Sequence, residues 1–176
     1  MLTLWDLLKP VREILRPAAP APRAPAPKAP GPGKRRPAAR GKAQATYDAI
    51  VDELLTAHNI KVRKWRQSMS GVAWVTTYRD GRTTRCLESP RPKSPMSLAI
   101  FLHEVGHHVI GLGAYKPRCL EEYHAWMFAI REMERRGIAV TPRVQTRLQR
   151  SLHYAVAKAM RRGLRALPAE LAPYAE

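Results

Sequence analysis

Cysteine is scarce in this sequence: Cys86 and Cys119 are the only two in 176 residues, and neither sits in a Cys-x-x-Cys pair. A disulfide framework is thereby excluded, and a reducing compartment fits. Long apolar runs are missing too, since none approaches the ~20 residues that a bilayer-spanning helix needs. The first residues lack the basic start, apolar core and small-residue cleavage site of a secretory signal. The expectation is a soluble, cytoplasmic protein with no transmembrane segment. Acidic side chains are also in short supply, 14 Asp and Glu against 31 Lys and Arg, for a formal charge of +17. The shortage is uneven. Residues 1–45 carry ten basic against two acidic side chains, 61–93 nine against two and 131–165 ten against two, whereas 94–130 carry two against three. Basic flanks of this kind suit nucleic acid or another polyanion as a neighbour, and suit equally well a solvated surface.

What is plentiful is proline, 16 residues, half of them from Pro17 to Pro37. That crowding divides the chain. Residues 1–16 place Leu4, Leu7, Leu8, Val11, Ile14 and Leu15 at helical spacing, interrupted by Pro10, and form an amphipathic segment able to dock on a partner or to pack back on its own domain. Residues 17–45 are rich in Pro, Ala and cations, Lys34-Arg35-Arg36 among them, and read as a linker; the start of the chain is thus expected to be a disordered tail. A globular domain of 46–165 follows, with a tail of 166–176. Within it, Tyr47, Ile50, Val51, Leu54 and Leu55 share one face of a helix capped by Thr46 and ended at His58-Asn59. Residues 61–92 change period to β-branched and aromatic runs with a turn at Asp80-Gly81, which predicts two or three antiparallel strands. Trp65, Trp74 and Tyr78 on these strands either stack bases or serve as core and cross-strand pairs. Residues 141–163 predict a last helix, with Thr141 as cap, Pro142 as first residue and a cationic side of Arg147, Arg150, Lys158, Arg161 and Arg162.

Between the basic flanks lies Leu98-Ala-Ile-Phe-Leu-His-Glu-Val-Gly-His-His-Val-Ile-Gly111. Ser94 and Pro95 start a helix ahead of it, and Gly111 and Gly113 stop it. His103 and His107, four apart, share a face on which two imidazoles converge on one ion, with Glu104 beside them. Glu104 is then placed to take a proton from a water whose pKa the ion lowers toward about 7. The apolar flanks bury the helix, and buried polar groups without partners cost roughly 1–3 kcal/mol each, so a metal is the expected partner. A chance His-Glu-x-x-His with satisfied core histidines is the plainer reading. The helix that follows, residues 120–136, offers a third ligand in Glu121, Glu122 or His124, and periodicity alone does not choose among them. His108 is read as a residue behind the ligands or on the lid side.

The order helix, sheet, His-Glu-x-x-His helix, second helix over roughly residues 46–137 resembles the minimal core of gluzincin metallopeptidases, particularly the ImmA/IrrE-like proteases. Glu122-Tyr-His-Ala-Trp-Met-Phe-Ala129 is similar to their Glu-x-x-Ala-Asp/Asn-x-Phe-Ala segment at the Glu, both alanines and the Phe. The segment departs from it at Trp126, where Asp or Asn would support a ligand histidine. The resemblance implies an α+β fold and a Zn2+ ion held by His103, His107 and Glu122, with His124 and Glu121 as alternates. It also implies Glu104 as the catalytic base of an endopeptidase acting on a protein or peptide, a regulatory or DNA-associated protein among the candidates. The competing expectation, from the basic flanks and Trp126, is a nucleic-acid- or partner-binding module with a structural or vestigial metal.

Overall fold

A computed structural model describes residues 37–175, so the amphipathic segment 1–16 and the linker as far as residue 36 lie outside the described residues. The first described element begins inside the stretch expected to be linker. Helix α1 runs Pro37–Ala57, not from Thr46. Proline is tolerated at a helix start, and the run through Lys42, Ala43, Gln44 and Ala45 has high helix propensity. Thr46 is therefore a mid-helix residue, its hydroxyl donating to the Lys42 carbonyl one turn back at 3.1 Å. Gln44 donates to the Pro92 carbonyl at 3.0 Å, which ties this early turn to the loop before the next helix. The helix ends where expected, with Asn59 at φ 50° reversing the chain.

Strands β1 (Ile60–Arg66), β2 (Val72–Thr77) and β3 (Thr83–Pro90) form a sheet of order β1-β3-β2. The expectation of an antiparallel sheet holds for one pair only. β2 and β3 are antiparallel, joined by a turn in which Tyr78 N–H donates to the Arg82 carbonyl at 2.9 Å and Gly81 takes φ 81°. β3 then returns between β1 and β2 and lies parallel to β1. Strand order is a tertiary choice that no local pattern encodes. Here it puts the strand with the most apolar inner face in the centre, where Cys86, Leu87 and Ser89 are buried. β2 is left as an edge strand.

The buried face of β3 rests on helix α2 (Pro95–Ile110), which in turn packs on α3 (Arg118–Arg135). Ser94 caps α2 in a box with Ser97, each side chain accepting from the other's backbone N–H, and Gly111 at φ 90° ends it. From Ser97 through His108 every residue of α2 is buried, so the helix expected to be internal is internal. Gly106 lets α3 come close: a Cβ there would lie 2.8 Å from the Ala125 carbonyl oxygen. Helix α4 (Pro142–Arg161), capped by Thr141, buries Val144, Leu148, Leu152 and Val156 and presents its cations outward.

The end of the chain is not frayed. Ala169–Tyr174 forms a short 3-10 helix whose Leu171 is fully buried in a small cluster with Cys119 and Val156. Two apolar anchors, Leu171 and Tyr174, outweigh the flanking prolines, so among the described residues regular structure extends on both sides of 46–165. Of the strand aromatics, Trp65 packs against the core at 6.2 Å from the Phe101 ring. Trp74 donates to Thr76 at 3.2 Å, and Tyr78 is exposed beneath the Arg82 guanidinium. No helix among the described residues is long and apolar enough to cross a membrane.

Candidate metal centre

On the middle turns of α2, His103 and His107 turn their rings toward α3, with ring centroids 4.7 Å apart. Opposite them, on the second turn of α3, stands Glu122. Its Oε2 lies 3.4 Å from His103 Nε2 and 3.7 Å from His107 Nε2. Donors held 2.0–2.2 Å from one ion at tetrahedral angles are about 3.3–3.6 Å apart, and the two distances from Glu122 to the imidazoles are close to that range. Among the described residues this is the one group of His, Cys, Asp and Glu whose donor atoms converge in this way, all within 4.8 Å.

The carboxylate next to Glu122 does a different job. Glu121, almost wholly buried, accepts from His107 Nδ1 at 3.1 Å through Oε1 and from the Gly113 backbone N–H at 2.7 Å through Oε2. A proton on Nδ1 leaves the Nε2 lone pair facing the cluster, which is the tautomer a ligand needs. Glu121 thus stands behind His107, outside the converging group. His124 is excluded more simply: its ring lies 4.0 Å from that of Tyr115 and 5.4 Å from that of Tyr123, away from the group. His108 donates through Nε2 to the Cys86 carbonyl at 2.9 Å and pins α2 to β3.

His103 is supported in another way. Trp126, where a hydrogen-bonding residue was expected, stacks on its ring at 4.5 Å and 29°. His103 Nδ1 is buried without a hydrogen-bond partner. Burial lowers its pKa, Glu122 opposing only in part, and the ring is held neutral. For His107, burial acts downward but the carboxylates of Glu122, Glu104 and Glu121 together outweigh it and raise the pKa. Burial of Glu122 is likewise outweighed, by the two imidazoles that face it, and its carboxyl lies well below the usual range.

Glu104 points elsewhere, into a cavity of about 570 Å³ whose floor it shares with His103 and Glu122. Burial pushes its carboxyl up to about 7, so it exchanges a proton near neutrality. Space for it is made by Gly71, at the entry to β2. A Cβ at Gly71 would collide with Glu104 Cγ and Oε1 and stand 2.6 Å from Cδ. Gly71 escaped the reading of the sequence because a glycine ahead of a strand is the commonest of boundary signals. The cavity's outer wall was missed as well. It is one face of α4, where Arg147, Ser151, Tyr154 and Lys158 recur at helical spacing, continued by Arg162.

Compared with family models, with curated proteins and with solved structures, the chain gives no match.

Proposed function

Starting from that arrangement, we propose that the protein is a zinc-dependent endopeptidase in which His103, His107 and Glu122 hold the ion and Glu104 moves the protons. The observation that carries the reading is the convergence of two imidazole nitrogens and one carboxylate oxygen beside a second carboxylate that is buried, unligated and open to the same cavity. Two histidines and one acidic residue are the donor set of open zinc sites in hydrolases. The resemblance of Glu122 to Ala129 to the ImmA/IrrE-like segment supports the same assignment.

When bound, the ion supplies a Lewis acid that polarises a peptide carbonyl and acidifies a water. The chain's own residues do the rest. Glu104 accepts the water's proton on its carboxylate as the oxygen attacks the carbonyl carbon, then returns it to the departing amine as the C–N bond breaks. A carboxyl that titrates near neutrality serves in both directions. Glu121 holds His107 in its ligating tautomer throughout. Beside the site, β2 leaves one edge unpaired among the described strands, where an extended substrate can add main-chain hydrogen bonds.

The test is Glu104→Gln. Metal content, measured by elemental analysis, stays at the wild-type level, while cleavage of a quenched-fluorescent peptide library falls by on the order of 10²–10⁴. Cleavage at the wild-type rate in this variant would remove Glu104 from the mechanism.

A further inference from the structure

The wall that α4 builds over the site is cationic, and its charges are unspent. Arg147, Lys158 and Arg162 line the cavity, and none of the three forms an ion pair with a carboxylate among the described residues. Arg147 donates to the Met69 carbonyl at 3.1 Å, which places its guanidinium at the Ser70-Gly71 end of the cavity. Lys158 lies three turns further along α4, 5.8 Å from the ring of the exposed Tyr154, and Arg162 closes the far end. Arg118, on the opposite lip, is 3.5 Å from Glu122. The floor is the reverse, with Glu104 and Glu122 the only acidic side chains of the lining among the described residues.

This division of charge has a chemical consequence. A chain whose backbone is neutral can cross the floor without repulsion while acidic side chains reach up to the wall. The sheet adds no stacking platform, since none of Trp65, Trp74 and Tyr78 lines the cavity; of the aromatics that do, Trp126 is buried against His103 and Tyr154 on α4 is exposed. Building on the peptidase reading, we propose that the cleft selects extended polypeptide rich in Glu or Asp, recognised by Arg147, Lys158 and Arg162. In an extended chain alternate side chains point the same way, so a strand with acidic residues at every second position presents them all to α4.

The test reads binding and not turnover. Full-length Glu104→Gln protein, loaded with zinc, is titrated by fluorescence anisotropy with a short labelled peptide alternating Glu and Ala, with its Gln and Ala counterpart, and with oligodeoxythymidine. Lys158→Gln with Arg162→Gln removes two charges from the wall. Arg150→Gln with Arg161→Gln removes two from the same helix outside the cavity lining, at equal net charge. The wall variant weakens the Glu peptide by roughly three- to tenfold, the outer variant by less than about twofold, and the Gln peptide is weaker than the Glu peptide in the parent. All four side chains are exposed, and circular dichroism checks that both variants fold alike. Equal losses in the two variants would reduce the effect to overall charge and overturn the proposal. So would equal binding of the Gln peptide. Tighter binding of the oligonucleotide that is lost with the wall variant would assign the wall to nucleic acid instead. Absence of any cleavage by the wild type sinks the peptidase reading and leaves the charge preference intact, so the two fail separately.

Discussion

Removal of Glu121 separates a positioning carboxylate from a ligand, and the structure sets the size of the effect. Glu121→Ala deletes the acceptor of two donors. Gly113 lies in an exposed loop and its N–H regains water, whereas His107 is buried and its Nδ1–H does not. One stranded donor costs about 1–3 kcal/mol, and the lower end applies because a buried carboxylate leaves with it. Metal affinity falls by roughly 10–100-fold, about 1.4–2.8 kcal/mol, as expected when the group behind a ligand histidine is lost. Glu121→Gln is the sharper variant. Its amide oxygen can serve the Gly113 N–H, which turns the NH2 toward His107 Nδ1 and drives the ring to the tautomer with its proton on Nε2. That tautomer opposes ligation. The metal-free Gln protein therefore melts near the wild type, yet binds zinc as weakly as the Ala protein does. Competition against a chromophoric zinc chelator, beside thermal melts of the metal-free proteins, reads both quantities. Wild-type affinity in Glu121→Gln would refute the tautomer argument. Loss of zinc in Glu121→Ala with retention in Glu122→Ala would exchange the two glutamates.

Two further substitutions test the glycines that shape the site. Gly71→Ala meets no backbone barrier but displaces the Glu104 carboxylate; cleavage of the peptide library falls by up to about 10²-fold while zinc affinity is unchanged, and wild-type turnover would show that Glu104 acts from another position. Gly106→Ala gains about 1 kcal/mol of helix propensity but drives a methyl against the Ala125 carbonyl, which cannot rotate away. Overpacking of this kind costs roughly 1–3 kcal/mol, so a net loss of up to about 2 kcal/mol in denaturant titration is expected, and a stabilised protein would mean that α2 and α3 have room to part.

The parts of this fold that the sequence announces are those whose signals are local. Ser94-Pro95 and Thr141-Pro142 open α2 and α4, and Gly111 closes α2, because caps act within a turn. The ligand pair His103 and His107 is equally local, being one face of one helix. Residues 37–45 were hidden by composition: prolines upstream colour the whole window as linker, although Pro37 sits where a helix accepts it. The parallel pairing of β1 with β3 depends on which strand takes the centre, a choice made by the apolar side of α2. Glu121 and Glu122 show the limit most clearly. Adjacent residues on a helix point about 100° apart, so one can ligate and the other support, but which does which follows from the rotation of α3 about its axis. That rotation is set by Ala125 and Phe128, which lie against α2 at Gly106.

The same rotation explains how the site accommodates Trp126. With Glu122 turned to the two histidines, position 126 lies over the face of His103, and an indole there fixes the plane of the ring without fixing its tautomer. In the metal-free site, a proton on His103 Nε2 finds Glu122 Oε2 at 3.4 Å and leaves Nδ1 as an unpaired lone pair, in keeping with its lack of a partner. Ligation through Nε2 moves that proton to Nδ1, beneath an apolar face where nothing accepts it. His107 makes no such adjustment, because Glu121 already holds its Nδ1 proton. As ligands of the proposed ion the two histidines are unequal, one prepared and one not, and the unprepared one would cost affinity of the order of one buried unpaired N–H, about 1–3 kcal/mol. What Trp126 gives in return is burial: it keeps water from the ring and holds His103 neutral, the one protonation state in which its Nε2 can be freed for a metal.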